Sequence, residues 1–204
     1  MSDGVVHVID DDPAMRDSLA FLLDTAGLAA RTYDSATAFL AALGDLAPGC
    51  ILTDVRMPEI DGLELVRRLK DAGVALPVVV MTGHADVPLA IAAMKLGVVD
   101  FIEKPFDDEA LLGAIGAALR QGEERRHHDD ERRRIADRIA ALSPREADVL
   151  KGLVAGQANK VIAFDLGISP RTVEIYRANL MTKMQANSLS DLVRMTLLAE
   201  RDAG

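Results

Sequence analysis

Five short apolar runs divide the first half of the chain, and each stops against a polar residue. Val5-Val6-His7-Val8-Ile9 ends in Asp10-Asp11-Asp12, Cys50-Ile51-Leu52-Thr53 runs into Asp54, and Pro77–Met81 runs into Thr82. Ala29–Tyr33 and Val98–Ile102 complete the set, the last ending near Lys104-Pro105. Runs this short and this continuously apolar predict strands buried on both faces. Between them the spacing turns helical. Pro13 suits a first helical turn, which Met15, Leu19, Leu22 and Leu23 continue until Gly27. Ser35 caps a helix through Leu43, and Asp61-Gly62 opens one that carries Leu63, Val66 and Leu69. Asp86–Leu96 is a further helix closed by Gly97, and Asp107 or Asp108 starts the next. Strands alternating with helices predict an α/β fold, a five-stranded parallel, doubly wound sheet of the flavodoxin-like kind.

The pattern changes after Gln121. Residues 123–134 contain no apolar side chain, and opposite charges recur at helical spacing, as in Glu123 with Arg126 and Asp129 with Arg132. This predicts a solvated helical linker. The remainder is all-helical. Ser143-Pro144-Arg145-Glu146 is an N-cap, a first-turn proline and a capping-box glutamate, followed by Val149, Leu150 and Leu153 and closed by Gly156. Lys160–Leu166 is a short helix ended by Gly167, Ser169-Pro170 starts a third that runs to Met184, and Ser188 or Ser190 caps a fourth. Two helices joined by a short glycine-containing turn predict a helix-turn-helix within a small four-helix domain. The expected organisation is therefore 1–122, a linker over 123–141, and 142–204.

Half of the residues are apolar but only 3% are aromatic and none is Trp, so both cores must be aliphatic. No apolar run approaches the roughly 20 residues that span a bilayer. The N-terminal residues are polar and acidic, unlike a signal peptide, so no membrane attachment and a cytoplasmic location are expected. The single cysteine, Cys50, lies in an apolar strand and reads as a small buried hydrophobe. The net charge of −9 is uneven: residues 1–120 hold 9 Lys/Arg against 19 Asp/Glu, whereas 142–204 hold 8 against 7.

In this topology Asp10–Asp12, Asp54, Thr82 and Lys104 all fall at the carboxyl ends of strands, the edge where ligands bind in open α/β sheets. Carboxylates, a hydroxyl and a lysine at one edge are the parts of an anion-transfer site. Nearby carboxylates repel, and a hard divalent cation such as Mg²⁺ relieves this while leaving positions for phosphate oxygens. Phosphoryl transfer needs positioning and charge neutralisation, and a carboxylate can itself be the nucleophile. His7, in mid-strand, reads as a structural histidine; His127-His128 do not share a helix face; His84 lies two residues past Thr82, beside the predicted site.

The acidic cluster, Asp54 before Met57-Pro58, Asp61-Gly62, Thr82-Gly83 and Lys104-Pro105 resemble the receiver domain of bacterial two-component response regulators across about the first 120 residues. The resemblance implies that Asp54 takes a phosphoryl group from the histidine of a sensor kinase. Asp10 and Asp11, with Asp54 and the backbone carbonyl of Arg56, would hold Mg²⁺; Asp12 falls where the family often has Glu. Lys104 would contact the phosphoryl group beside a cis bond to Pro105. Thr82 would be the switch hydroxyl, coupled to Phe101, where many receivers have Tyr. Without a hydroxyl, burial or exposure of the ring is its only signal. A dimer face near the fourth helix and fifth strand would use Ala90, Met94 and Phe101.

Leu142–Glu146, Asn159–Ala163 and Ser169–Glu174 are similar to the four-helix DNA-binding domain of LuxR-type regulators. The third helix would then enter the major groove of double-stranded promoter DNA. Val173, Leu180 and Met184 form its packing stripe. Arg171, Glu174, Ile175, Arg177 and Ala178 are left for the bases, where Arg pairs with guanine and Glu accepts from cytosine. Lys160, Thr172 and Lys183 fall as phosphate contacts. A charge of only +1 over this domain favours two copies binding together. The full-length likeness is to the rhizobial nitrogen-fixation branch, which implies an oxygen-sensing kinase, RNA polymerase as a partner, a homodimer when phosphorylated, and nitrogen-fixation or microaerobic promoters. It also implies a protein that is no enzyme beyond transfer to and hydrolysis from its own Asp54. An aspartyl-phosphate phosphatase is disfavoured because Arg56 stands where such enzymes need an acid. A dinucleotide-binding oxidoreductase lacks its Gly-rich loop here. A phosphorelay carrier whose last helices bind protein is the remaining alternative.

Overall fold

The computed structural model describes residues 4–83 and 87–200, and divides the chain into two compact units, one up to Arg125 and one from Arg126. The first is built on a parallel sheet of strands β1 (Val5–Ile9), β2 (Ala29–Tyr33), β3 (Gly49–Asp54), β4 (Val78–Thr82) and β5 (Asp100–Glu103), in the order β2-β1-β3-β4-β5. The register runs His7 opposite Ile51, Asp54 opposite Met81 and Thr82 opposite Glu103. Helices α1 (Pro13–Thr25), α2 (Ala36–Ala41), α3 (Gly62–Asp71), α4 (Val87–Leu96) and α5 (Asp108–Ala140) follow the strands in turn.

Every residue of β3 and of β4 is buried, as their unbroken apolar runs require. Alternate side chains enter two aliphatic layers. Ile9, Phe39, Ile51, Leu65, Leu69 and Val80 fill one. Val6, Val8, Leu19, Leu23, Leu52, Met81, Leu111 and Ile115 fill the other. Cys50 sits in the second layer with no exposure, and burial pushes its thiol pKa up to about 12, which leaves it unreactive.

Some boundaries differ from the pattern. β4 begins at Val78 because Pro77 has no N–H to contribute to the ladder, although its carbonyl accepts from Ile51. β5 starts at Asp100, two residues late: Gly97 (φ 86°) makes the turn and Val98 N still donates to the Ala93 carbonyl, while Val99 N already reaches the Val78 carbonyl at 2.7 Å. The second helix is short, and residues 43–45 wind as a separate 3-10 turn. Asp86 lies outside the described residues.

The linker is helical, as its charge spacing predicts, but its last turns are not wholly solvated. Helix α5 runs without a break to Ala140. Ile135 is 2% exposed, and Ile139 packs on the same cluster as Val149, Leu150 and Val173. The Arg132 Nε donates to the Leu198 carbonyl at 3.2 Å and the Arg138 Nη1 to the Met184 carbonyl at 3.1 Å. Two isoleucines one helical turn apart thus anchor the end of the expected linker in the second unit's core. That core is completed by α6 (Pro144–Val154), α7 (Asn159–Leu166), α8 (Pro170–Met184) and α9 (Leu189–Glu200). Both arms of the Ser143–Glu146 capping box are formed, and Gly167 closes α7 in the left-handed region at φ 65°.

His7 is fully buried. Its Nε2 lies 2.9 Å from the Ala47 carbonyl, its Nδ1 3.3 Å from the Tyr33 hydroxyl, and its ring packs beside Tyr33 and Phe39. Burial lowers its pKa, the Ala47 carbonyl offsets part of this, and the Arg31 charge lowers it further. The unfolded chain therefore binds this proton more readily than the folded one. The His7 contribution to stability is present above the ordinary value of 6.5 and is lost as pH falls below it. Urea unfolding between pH 8 and 5 is expected to show this loss, and His7→Gln, which keeps a donor for Ala47, is expected to flatten it.

Candidate functional site

The carboxyl edge of the sheet gathers side chains that lie dozens of residues apart. Asp10 follows β1, Asp54 and Thr82 end β3 and β4, and Lys104 follows β5. Lys104 joins the first two: its Nζ donates to Asp10 Oδ2 at 2.8 Å and to Asp54 Oδ1 at 2.6 Å. The remaining carboxylate oxygens are held by main chain. Asp10 Oδ1 accepts from Asp12 N at 2.9 Å, and Asp54 Oδ2 from Arg56 N at 2.6 Å. Burial alone would lower the Lys104 pKa, but its hydrogen bonds and charge pairing with Asp10 and Asp54 outweigh this and raise it. The lysine is firmly cationic.

Local backbone explains these placements. The Lys104 N–H donates to the Thr82 carbonyl at 2.7 Å, docking the residue after β5 onto the end of β4, and the Lys104–Pro105 bond is cis. Thr82 is fully buried. The loop after Asp54 returns to open α3 through Asp61, whose side chain caps Glu64 N at 2.7 Å. Gly62 is required there: a Cβ would stand 2.2 Å from the Asp54 carbonyl oxygen. The same loop holds Glu59 at φ 64°, its carboxylate accepting from the Thr37 hydroxyl at 3.2 Å.

Asp11 and Asp12 do not join the pair. Asp12 is the N-cap of α1, its carboxylate accepting from Ala14 N, and Asp11 is left exposed where the chain turns around the Asp10 side chain. Among the described residues no three carboxylate, imidazole or thiol groups converge. The pair still suits a hard cation. Two buried carboxylates share one ammonium and so retain net negative charge, and their donors are all oxygen. Sequence reasoning missed Arg16, whose Nη1 donates to the Asp10 carbonyl at 2.7 Å; its position one helical turn past Asp12 was the available signal. His84 lies outside the described residues.

Phe101 is half-buried opposite Val80, packed on the layer that contains Ala93. Of the other residues expected on a dimer face, Met94 is 54% exposed and Ala90 is half-buried. Val87 and Ile91, which the pattern did not single out, are exposed on the same stripe of α4 as Met94. A helix apolar on most positions hides which face is solvated.

In the second unit, α7 and α8 form the expected helix-turn-helix. Val173, Leu180 and Met184 are fully buried, while Arg171, Glu174, Ile175 and Ala178 are exposed together. Arg177 is half-buried and Lys160 exposed. Thr172 is engaged in the cap: its hydroxyl lies 2.9 Å from that of Ser169, to which its N–H also donates. Lys183 is exposed and is also engaged within the fold. Its Nζ pairs with Glu146 Oε2 at 2.7 Å, where Ser143 N and Oγ also donate, each at 2.8 Å. Glu146 is buried, and Lys183 first, then Ser143, holds its carboxyl down at about 2. The last turn of α8 meets the start of α6 through this pair, and the Lys183 side chain remains 45% exposed. Phe164 and Val161 on α7 are exposed, which periodicity over so short a helix could not reveal.

Two family models match the chain: the response regulator receiver domain over residues 6–116, and the bacterial regulatory proteins of the luxR family over residues 140–196. The transcriptional regulatory protein FixJ of Azorhizobium caulinodans is 60% identical over 95% of this chain and 92% of that protein. FixJ of Bradyrhizobium diazoefficiens is 56% identical over 96% of each. A crystal structure of full-length FixJ from B. japonicum, 55% identical, covers 98% of this chain and 99% of its own with a TM-score of 0.61.

Removing the shared cation leaves two buried carboxylates facing each other. Lys104→Met is expected to lower stability to urea at pH 7 by about 1–3 kcal/mol, with part of the loss recovered on adding Mg²⁺. Lys183→Met is expected to lower the melting temperature of the C-terminal unit and to reduce the salt slope of binding to random duplex by about one.

Proposed function

The chain belongs to the response regulators that pair a receiver domain with a LuxR-type DNA-binding domain, and on that premise we propose that phosphorylation of Asp54 controls its binding to promoter DNA. The donor is the phosphohistidine of a sensor kinase. The observation that carries this reading is the Asp10–Lys104–Asp54 bridge at the carboxyl edge of the sheet, a nucleophile, a counter-charge and a second carboxylate within one hydrogen-bonded group. The receiver takes residues 1–122 and the DNA-binding domain 142–204, joined by the charged stretch of α5.

An oxygen of the Asp54 carboxylate attacks phosphorus, the P–N bond to the donor imidazole breaks, and an acyl phosphate forms. Hydrolysis of that acyl phosphate by water returns the carboxylate. The Asp54 side chain is held for attack by Arg56 N, and Gly62 keeps α3 close enough to fix the loop behind it. Lys104 already touches Asp54 and pairs with the phosphoryl oxygens as negative charge builds there. Asp10, Asp11 and Asp54, with the Arg56 carbonyl, are the oxygens that would hold Mg²⁺, which would neutralise the phosphoryl and carboxylate charges when bound. The Thr82 hydroxyl, at the end of β4, turns towards the phosphoryl group, and Phe101 on the neighbouring strand follows it inward.

That rearrangement shifts the receiver between two states, and only a difference in stability between them is needed. The favoured state pairs with a second copy through Ala90, Met94 and Phe101, extended by the exposed Val87 and Ile91 of α4. Pairing brings two weakly charged DNA-binding domains onto one site, where Arg171, Glu174, Ile175, Arg177 and Ala178 of α8 read bases and Lys160, Thr172 and Lys183 sit beside phosphates. Recruitment of RNA polymerase follows at promoters that, by likeness to FixJ, belong to nitrogen-fixation or microaerobic genes. No helix among the described residues is long and apolar enough to cross a membrane, and we assign the protein to the cytoplasm.

Acetyl phosphate with Mg²⁺ is expected to convert the wild type to a dimer by size-exclusion chromatography and to tighten its binding to duplex DNA. Asp54→Asn is expected to do neither, and an Asp54→Asn protein that responded like the wild type would remove the proposal.

A further inference from the structure

A second cleft lies at the opposite end of the first unit, where the strands begin. It measures about 350 Å³ and is formed by the last turn of α3, the segment leading into β4, the end of α4 and one stretch of α5. Leu69, Leu76 and Leu96 supply apolar wall, and Lys70, Gln121 and Arg125 supply its polar side chains. That volume is at the small end of the roughly 300–1,000 Å³ typical of ligand sites.

The charge of the lining is what sets the cleft apart. Acids outnumber bases 21 to 10 over residues 1–125, yet among the described residues no carboxylate lines this cleft and two cations do. Asp71 and Glu124 adjoin those cations in sequence, but neither lines the cleft. Among the described residues neither the Lys70 ammonium nor the Arg125 guanidinium has an ion-pair partner. The two come from different helices, so helical spacing does not account for their meeting. Asp10, Asp54 and Lys104 take no part in the cleft, which is separate from the phosphorylation site.

We propose that this cleft binds a small carboxylate with an apolar body, its head between Lys70 and Arg125 and its body against Leu69, Leu76 and Leu96. A planar carboxylate matches the forked donors of Arg125, and Lys70 adds a point charge. Gln121 supplies an amide that can donate to the same head. The ligand would touch the ends of α4 and the segment entering β5, the elements that carry the proposed dimer face. Its occupancy is therefore a second input to the receiver, independent of the phosphoryl group.

The test uses the full chain, ¹⁵N-labelled, titrated with sodium benzoate without Mg²⁺ at constant ionic strength set with chloride. Saturable shifts are expected at the amides of Val74, Leu76 and Gln121. Affinity is expected to fall about tenfold or more in the Lys70→Glu/Arg125→Glu variant, and benzyl alcohol, the neutral counterpart, to bind about tenfold more weakly. Both residues are exposed, and the spectrum itself reports whether the variant is folded. Absence of saturable shifts, shifts confined to the amides around Lys104, or equal affinity in the charge-reversed variant would each overturn the proposal. Failure of acetyl phosphate to act on the wild type would instead strike the phosphorylation reading and leave this one standing.

Discussion

One ammonium group, that of Lys104, is shared between two carboxylates that would otherwise repel, and the first unit is arranged around keeping it there. Asp10 and Asp54 are 1% and 7% exposed, so their mutual repulsion is weakly screened and a partner is obligatory. Lys104 can reach both only because β1 and β3 are adjacent and β5 lies just beyond β4, on which it is docked through the Thr82 carbonyl. The order β2-β1-β3-β4-β5 is thus the condition for the site as well as a way to bury apolar strands. Main-chain donors from Asp12 and Arg56 take the remaining carboxylate oxygens and fix both groups before any ligand arrives.

An ammonium bridge between two acids is also what makes the site responsive. It is well paired as it stands, yet it leaves one negative charge uncompensated, and a phosphoryl group with a hard cation would rearrange all of its partners at once. The same economy operates in the second unit, where the buried Glu146 satisfies the N-terminus of α6 and holds the end of α8 through Lys183. There the effect is structural: the recognition helix is fixed by its last turn, while its exposed face, with Arg171, Glu174 and Ile175, stays available.

Much of the site was legible in the chain. Asp54, Thr82 and Lys104 each follow an apolar run, and a parallel sheet collects such residues at one edge whatever their separation. The Asp61-Gly62 pair was visible as a helix start, but the reason only glycine fits, the approach of the Asp54 carbonyl, depends on packing. The family resemblance set Asp12 apart from Asp10 and Asp11, but which of three consecutive acids meets the lysine is not written in composition. The turn geometry separates them: one faces the lysine, one caps α1, and one meets solvent. Lys183 was legible as a cation in the last turn of α8, but its pairing with Glu146 was not, since that partner is 37 residues away.

The sequence by itself determined the alternation of strands and helices, the two-unit organisation and the family motifs, because each is written in local periodicity, capping chemistry and punctuation by glycine and proline. Tertiary structure alone decided which charges pair. It selected Asp10 as the partner of Asp54, drew Ile135 out of the supposed linker into a core, and spent Lys183 on Glu146. It also brought Lys70 and Arg125 to one cleft. Pairing is a matter of a few ångströms between side chains far apart in the chain, and no local pattern encodes that distance.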